Sequence, residues 1–229
     1  MTYVKEHKMP LKIDVVDYTL KKTLSVLVFS DTHGCFSVYY SKDYCETLKN
    51  RVLDAVFLLG DLWSDDLQLI KSYFSDIPIY AVCGNHDFPE YYERMNVPEI
   101  HGRCITLKDY RIVGWHGSFK YKDSIPCCYS QQESLSIEPD IPAGDILISH
   151  DCPFGMMTGV SLSSSHPGLE GIRQYLLNGK ASLHLFGHIH EDGAACFTNK
   201  ILSLCVYTGA YIQIVNGTIT FTSLDEIPS

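Results

Sequence analysis

The chain has 229 residues, of which 45% are hydrophobic and 20% charged, with a formal net charge of −9. That composition fits a globular protein with a sizeable core, expected as one domain over residues 1–229. It excludes a non-specific grip on nucleic-acid backbone, which needs a basic surface. No run approaches the roughly 20 apolar residues of a membrane span. The opening "MTYVKEHKMP" lacks the apolar core of a signal peptide. A cytoplasmic protein that does not enter a membrane is therefore expected.

In chain order, an edge strand is expected within residues 1–22, where "LKIDVVDYTL" partly alternates. "TLSVLVFSD" (23–31) reads as a strand, residues 37–50 as a helix, and "DAVFLLGD" (54–61) as a second strand. "SDDLQLIKSYF" (64–74) has apolar residues at helical spacing, with Ser64 placed as N-cap. "IPIYAVCGNHD" (77–87) is a third strand. This alternation predicts βαβαβ with a mainly parallel sheet.

Beyond it, "CITLKDYRIVGW" (104–115) reads as a hairpin turning at residues 108–110, and 116–143 as irregular. "GDILISHD" (144–151) and "SLHLFGH" (182–188) are strands. Between them lie a loop at 161–168 and a helix at 169–178 that Gly179 ends. "KILSLCVY" extends the apolar pattern, and "YIQIVNGTITFTSL" places Asn-Gly between alternating residues, a tight-hairpin signal.

Nine cysteines occur without a CxxC, which gives no support to a zinc ribbon or a thioredoxin motif. They read as reduced, buried thiols acting as small hydrophobes. Cys127 and Cys128 are the pair most open to another role.

The predicted core strands of the α/β part share one property: they end in Asp, Asn or His. The ends carry Asp31 and His33, Asp61, Asn85 with His86 and Asp87, His150, and His188 with His190. In open α/β sheets, ligands bind at that rim. Asp31, His33, Asp61, Asn85, His150, His188 and His190 offer oxygen and nitrogen donors, too many for one tetrahedral ion and suited to two. A carboxylate can bridge two ions, and Asp61 is the candidate. The set suits Mn, Fe, Zn, Co or Ni over Mg or Ca, and Mn²⁺ is the ion expected. Taken singly, these residues have plainer explanations. Asp31 and Asp61 precede helical stretches and could be N-caps, and Asn85 could be a turn residue. His184 reads as a buried, hydrogen-bonded histidine, and His116 as a candidate pocket residue. His7, His101 and His166 read as solvent or loop residues, and Arg173 as an ordinary surface charge.

"DTHG", "GD", "GNHD", "SHD" and "GHIH", in this order over residues 31 to 190, resemble the calcineurin-like metallophosphoesterase superfamily. "YRIVGWHGSFKYK" and "LHLFGHIHE" are similar to its small bacterial and archaeal members. The resemblance implies an α/β fold of four layers, two mixed β-sheets packed face to face and flanked by helices. It assigns Asp31, His33 and His190 to one divalent ion, Asn85, His150 and His188 to a second, and Asp61 to both. It makes His86 the group that contacts the phosphate and protonates the leaving oxygen, with Asp87 orienting that imidazole. Asn85, His86 and His116 are the substrate-binding candidates. The implied reaction is hydrolysis of a small phosphate ester by a hydroxide shared between two ions, with a phosphodiesterase on small nucleotide-like or related diesters favoured. A phosphomonoesterase, or a catalytically silent protein-binding scaffold of the same fold, is the alternative. The block at His150 has only Pro153 as a distinctive neighbour, and the stretch 120–143 departs from the family pattern.

Overall fold

The computed structural model describes residues 3–4, 11–14, 20–121, 127–155, 166–197 and 201–227. It opens with two short strands, β1 (Tyr3–Val4) and β2 (Leu11–Asp14), the second being the edge strand expected near the N-terminus. β3 (Leu24–Ser30) follows, buried along its whole length. The single helix expected over 37–50 is two: α1 (Phe36–Tyr39) and α2 (Lys42–Lys49). The break has a local cause. The Ser41 hydroxyl accepts from the Tyr44 N–H and starts a new helix, as an N-cap serine does. Then come β4 (Ala55–Leu58) and α3 (Ser64–Tyr73). Ser64 lies inside α3 and Trp63 holds the cap position without a side-chain bond, which corrects the N-cap assignment. β5 (Ile79–Ala81) and α4 (Pro89–Arg94) complete this half.

The second half begins with the predicted hairpin, β6 (Cys104–Leu107) and β7 (Tyr110–Trp115). The stretch expected to be irregular contains β8 (Ser118–Phe119), β9 (Cys128–Tyr129) and α5 (Gln131–Ile137). α5 starts on a capping box in which Ser130 and Glu133 satisfy each other's backbone N–H. The sequence signal was present: Ser130-x-x-Glu133 is the S-x-x-E pattern. β10 (Ile146–Ser149), α6 (Glu170–Leu177) and β11 (Leu183–Phe186) follow. Gly179, at φ +68°, lies just past α6 as expected. Residues 161–165 of the expected loop, and His7, lie outside the described residues. β12 (Gly193–Phe197), β13 (Ile201–Cys205), β14 (Thr208–Val215) and β15 (Thr218–Ser223) end the chain. β14 and β15 pair across Asn216 and Gly217, both at positive φ, the conformation an Asn-Gly hairpin requires.

Two mixed sheets result, ordered β1-β12-β13-β11-β10-β7-β6 and β2-β15-β14-β3-β4-β5. β3, β4 and β5 run parallel in one, and β7, β10, β11 and β13 in the other. Along β3 the side chains alternate between two cores because successive strand residues face opposite ways. Val26 and Val28 point to an inter-sheet core with Phe57, Ile112, Ile148 and Leu185. Leu27 and Phe29 point outward to Phe36, Tyr40, Leu48, Leu67 and Ile70 of the first three helices. On the far face of the other sheet, Val113, Trp115 and Leu147 pack on Ile172, Tyr175 and Leu176 of α6. The order is helix, sheet, sheet, helix, the expected four layers. Each fully buried aliphatic or Phe side chain adds about 1.5–3 kcal/mol of transfer free energy. These faces hold the parallel strands so that their C-terminal ends meet at one edge.

Candidate metal centre

Loop follows strand directly at every one of those ends, and the two sheets are stitched together there. The His150 ring crosses from β10, its Nδ1 lying 2.8 Å from the Leu59 carbonyl oxygen after β4. The His188 N–H, after β11, crosses in the same direction and donates to Asp31 Oδ2 at 2.8 Å. A carbonyl only accepts, so Nδ1 of His150 carries the proton and Nε2 keeps its lone pair. That is how a second partner sets the tautomer of a metal-binding histidine.

The structure brings all seven predicted donors together. Donor atoms of Asp31, Asp61, His150 and His188 fall within 4.8 Å of one another, and so do those of Asp31, His33 and His190. Asn85 Oδ1 is 2.9 Å from His150 Nε2. Two carboxylates lie between the groups. Asp31 belongs to both, while Asp61 Oδ2 is 3.7 Å from His150 Nε2 and 3.9 Å from His33 Nε2. Asp31 and Asp61 are not helix N-caps; those positions belong to Cys35 and Trp63.

The donor set fits cations. His188 Nε2 is buried without a hydrogen-bond partner among the described residues, and buried Asp31 Oδ1 has His190 Nε2 at 3.3 Å but outside hydrogen-bond geometry; a polar atom left so costs about 1–3 kcal/mol if nothing binds. His33 Nε2 faces His190 Nε2 at 3.3 Å, and His150 Nε2 faces the amide oxygen of Asn85. Lone pairs converging in this way are stabilised by a positive charge between them. Burial keeps His188 far below the ordinary histidine range, so its ring stays neutral. Burial also lowers His33, against the pull of Asp61 and Asp31. Burial by itself would raise Asp31, but His190 at 3.3 Å from Oδ1 and the Ser30 hydroxyl, which donates to Oδ2 at 2.5 Å, hold it below the usual carboxylate range.

Backbone strain concentrates here. Asp31, His33, Asp61, His188 and His190 all have φ between +48° and +68°, a region non-glycine residues seldom adopt. Such strain persists only where the surroundings over-determine it, and it clusters at functional sites. Two buried carboxylates do the determining. Asp66, from the first turn of α3, accepts from Thr32 Oγ1 (2.6 Å), the Gly34 N–H (2.7 Å) and the Phe36 N–H (2.9 Å), and so folds the loop that carries Asp31 and His33. Asp87 accepts from the N–H groups of Asp61 (2.7 Å), Leu62 (3.1 Å) and Gly84 (2.8 Å) and from the Tyr92 hydroxyl (2.7 Å). Gly84 is needed for that closeness: a Cβ there would lie 2.1 Å from Asp61 Oδ1.

This corrects the role expected of Asp87. Its carboxylate is fully buried among backbone donors and Tyr92 instead of orienting His86. Burial, with Asp61 alongside, pushes it up to about 7, against the pull of Gly84 and Tyr92. His86 is exposed, edge-on to His33 with ring centroids 5.5 Å apart, and its own N–H donates to Asp61 Oδ1 at 2.8 Å. His116 is also corrected. Its ring nitrogens are engaged by Glu99 (3.1 Å) and the Tyr129 hydroxyl (2.6 Å). His101 is no solvent residue either; it stacks on His116 at 3.7 Å. His184 is buried as expected, with Ser149 and Ser203 on its two nitrogens, and Arg173 makes an exposed ion pair with Glu170. Three neighbours of the centre went unrecognised in the sequence: Asp66, His166, whose ring lies 4.6 Å from that of His188, and Tyr207, stacked 5.2 Å from His190.

The fold and this cluster of Asp and His donors define a metallophosphoesterase-type protein. The chain belongs to the calcineurin-like phosphoesterase family, whose model matches residues 24–192. Among solved structures it is similar to TT1561 of Thermus thermophilus, with 14% identity, a TM-score of 0.61, and 89% of this chain and 100% of that one covered. A dimetal phosphatase from Danio rerio shares 12% identity with a TM-score of 0.59, covering 84% and 93%. Phosphopantetheinyl hydrolase from Mycobacterium tuberculosis shares 12% identity with a TM-score of 0.54, covering 82% and 90%. At these identities the likeness is one of fold. No curated protein matches the chain. Among the described residues no helix is long and apolar enough to cross a membrane.

Proposed function

We propose that this chain hydrolyses small phosphodiesters, nucleotide-like or related, at a centre of two divalent ions, manganese being the favoured metal. The carrying observation is the pair of orphaned buried atoms, Asp31 Oδ1 and His188 Nε2, inside a cluster of seven converging donors. Asp31, His33 and His190 would hold one ion, Asn85, His150 and His188 the other, and Asp61 both. Ions held there supply Lewis acidity toward phosphoryl oxygen and acidify water. The chain's own part is to fix the donors by strained loops and to keep His188 neutral. His86, exposed beside His33, is placed to give a proton to the leaving oxygen. No lysine or arginine is paired with Asp31 or Asp61 among the described residues. Trp63, half exposed, packs against Gly34 beside His33 and offers an apolar face to the second ester arm. The eight described cysteines are all free, which supports a reducing, cytoplasmic setting.

Initial rates on bis-p-nitrophenyl phosphate and p-nitrophenyl phosphate, with Mn²⁺ and after chelation, test this. The diester should be cleaved faster, and chelator should abolish both activities. Faster monoester cleavage would move the assignment to a phosphomonoesterase, and no turnover with any metal would leave a scaffold. His86→Ala should lower kcat on a diester with a poor leaving group by about 10²-fold, the low end for a lost proton donor, because water reaches this exposed position. An unchanged rate would remove His86 from the reaction.

A further inference from the structure

A second cluster, of soft donors, shares no residue with the seven. Cys83 Sγ, Cys127 Sγ and a ring nitrogen of His116 fall within 4.8 Å of one another. We propose that these three side chains form a separate site for one thiophilic divalent cation of the zinc class. They come from distant parts of the chain: the end of β5, the loop after β7, and the residue before β9.

The backbone is built to bring them together. The Gly117 N–H donates to the Cys83 carbonyl at 2.7 Å, and the Ser118 N–H to the Cys127 carbonyl at 3.1 Å. Gly117 has φ +77°, and a Cβ on it would lie 1.8 Å from the Cys127 carbonyl oxygen, so no larger residue allows this approach. Cys127 itself is held at φ +51°, a conformation disfavoured without glycine.

The donor chemistry differs from that of the seven oxygen and nitrogen groups. Two sulfurs and an imidazole select zinc-class ions. Bonds of about 2.3 Å to sulfur and 2.0–2.1 Å to nitrogen put tetrahedral donors about 3.4–3.8 Å apart, a side-chain adjustment of roughly an ångström from the observed grouping. His116 already has an outer shell. Glu99 Oε1 is 3.1 Å from Nδ1, the Tyr129 hydroxyl 2.6 Å from Nε2, and His101 stacks on the ring. Binding exchanges one of these hydrogen bonds for a coordinate bond and retains the other as the orienting partner. The hydrogen bond between the two sulfurs brings the Cys127 thiol down to about 7 and pushes the Cys83 thiol up, so Cys127 is the first to become a thiolate and Cys83 gives up its proton to the incoming ion. An ion here ties the segment that carries Asn85 and His86 to the chain around Tyr129.

The test is a Co²⁺ titration of the full, reduced chain followed by near-ultraviolet absorption. Thiolate-to-cobalt charge transfer reports only sulfur ligation, which the seven-donor centre cannot produce, so the outcome is independent of the phosphoesterase reading. The wild type should show this band, Asp61→Asn should keep it, and Cys127→Ser should lose it with the circular dichroism unchanged. Cys83→Ser and His116→Ala serve as second variants, the first losing the band and the second weakening it. The inference is overturned if the wild type shows no charge-transfer band at saturating Co²⁺, or if the band persists in both cysteine variants, which would assign it to Cys35 or Cys104.

Discussion

Asp61→Asn should lower kcat/KM on the best phosphoester by about 10³-fold or more and reduce the bound metal to one ion per chain or less. Loss of one charge-stabilising group in an active site already costs about 10²–10³-fold, and Asp61 is proposed to serve two ions. Asparagine is the substitution to choose, because Asp61 sits at φ +56° and asparagine tolerates that region where a branched residue would strain it. The amide oxygen can still accept the His86 N–H that Asp61 Oδ1 accepts, and the Asp61 N–H remains available to Asp87. The metal-free variant should therefore melt no lower than the metal-free parent. It relieves a repulsion, since Asp61 is one cause of the raised pKa of Asp87. Metal content by atomic spectrometry and melting with and without Mn²⁺ check each part. Wild-type activity with two ions per chain would remove Asp61 from the centre.

Those two roles of one residue mark what the sequence could and could not convey. The strand ends were legible because each carries a polar residue straight after an apolar run, and the hairpins because Asn216-Gly217 and the turn at Lys108 have local chemistry. The parallel strands place Asp31, Asp61, Asn85, His150 and His188 on one edge, so their meeting follows from topology once the alternation is seen. Asp66 and Asp87 were not legible in the same way. Each holds a loop 25 to 34 residues away, and only the folded chain makes such partners. A carboxylate next to a candidate catalytic histidine suggests an orienting role by adjacency, yet the turn at Gly84 points Asp87 back at the backbone. The break between α1 and α2 failed to register for the opposite reason. Apolar spacing runs on through it, and the Ser41 cap overrides that spacing locally.

Asp87→Ala should be the most destabilising single substitution at this edge, costing about 3–5 kcal/mol. Its carboxylate takes three backbone N–H groups and the Tyr92 hydroxyl, all in the interior. A hydrogen bond to a charged group contributes about 1.5–3 kcal/mol, and each buried donor left unpaired costs about 1–3 kcal/mol. The four are not additive, because the loops relax and water can enter, so the total falls well short of their sum. Only a short list of mechanisms reaches this size, and a broken buried network is one of them. Asp87→Asn should cost less: its amide oxygen in the Oδ2 position can still accept from Asp61, Gly84 and Tyr92, while its NH₂ is turned against the Leu62 N–H. Urea denaturation of the metal-free proteins measures the stability order, wild type above Asp87→Asn above Asp87→Ala. Tyr92→Phe removes one donor and leaves Asp87 Oδ2 its two backbone N–H bonds, and should cost about 1 kcal/mol. If Asp87→Ala were as stable as Tyr92→Phe, the carboxylate would not be what holds Asp61 in its strained conformation.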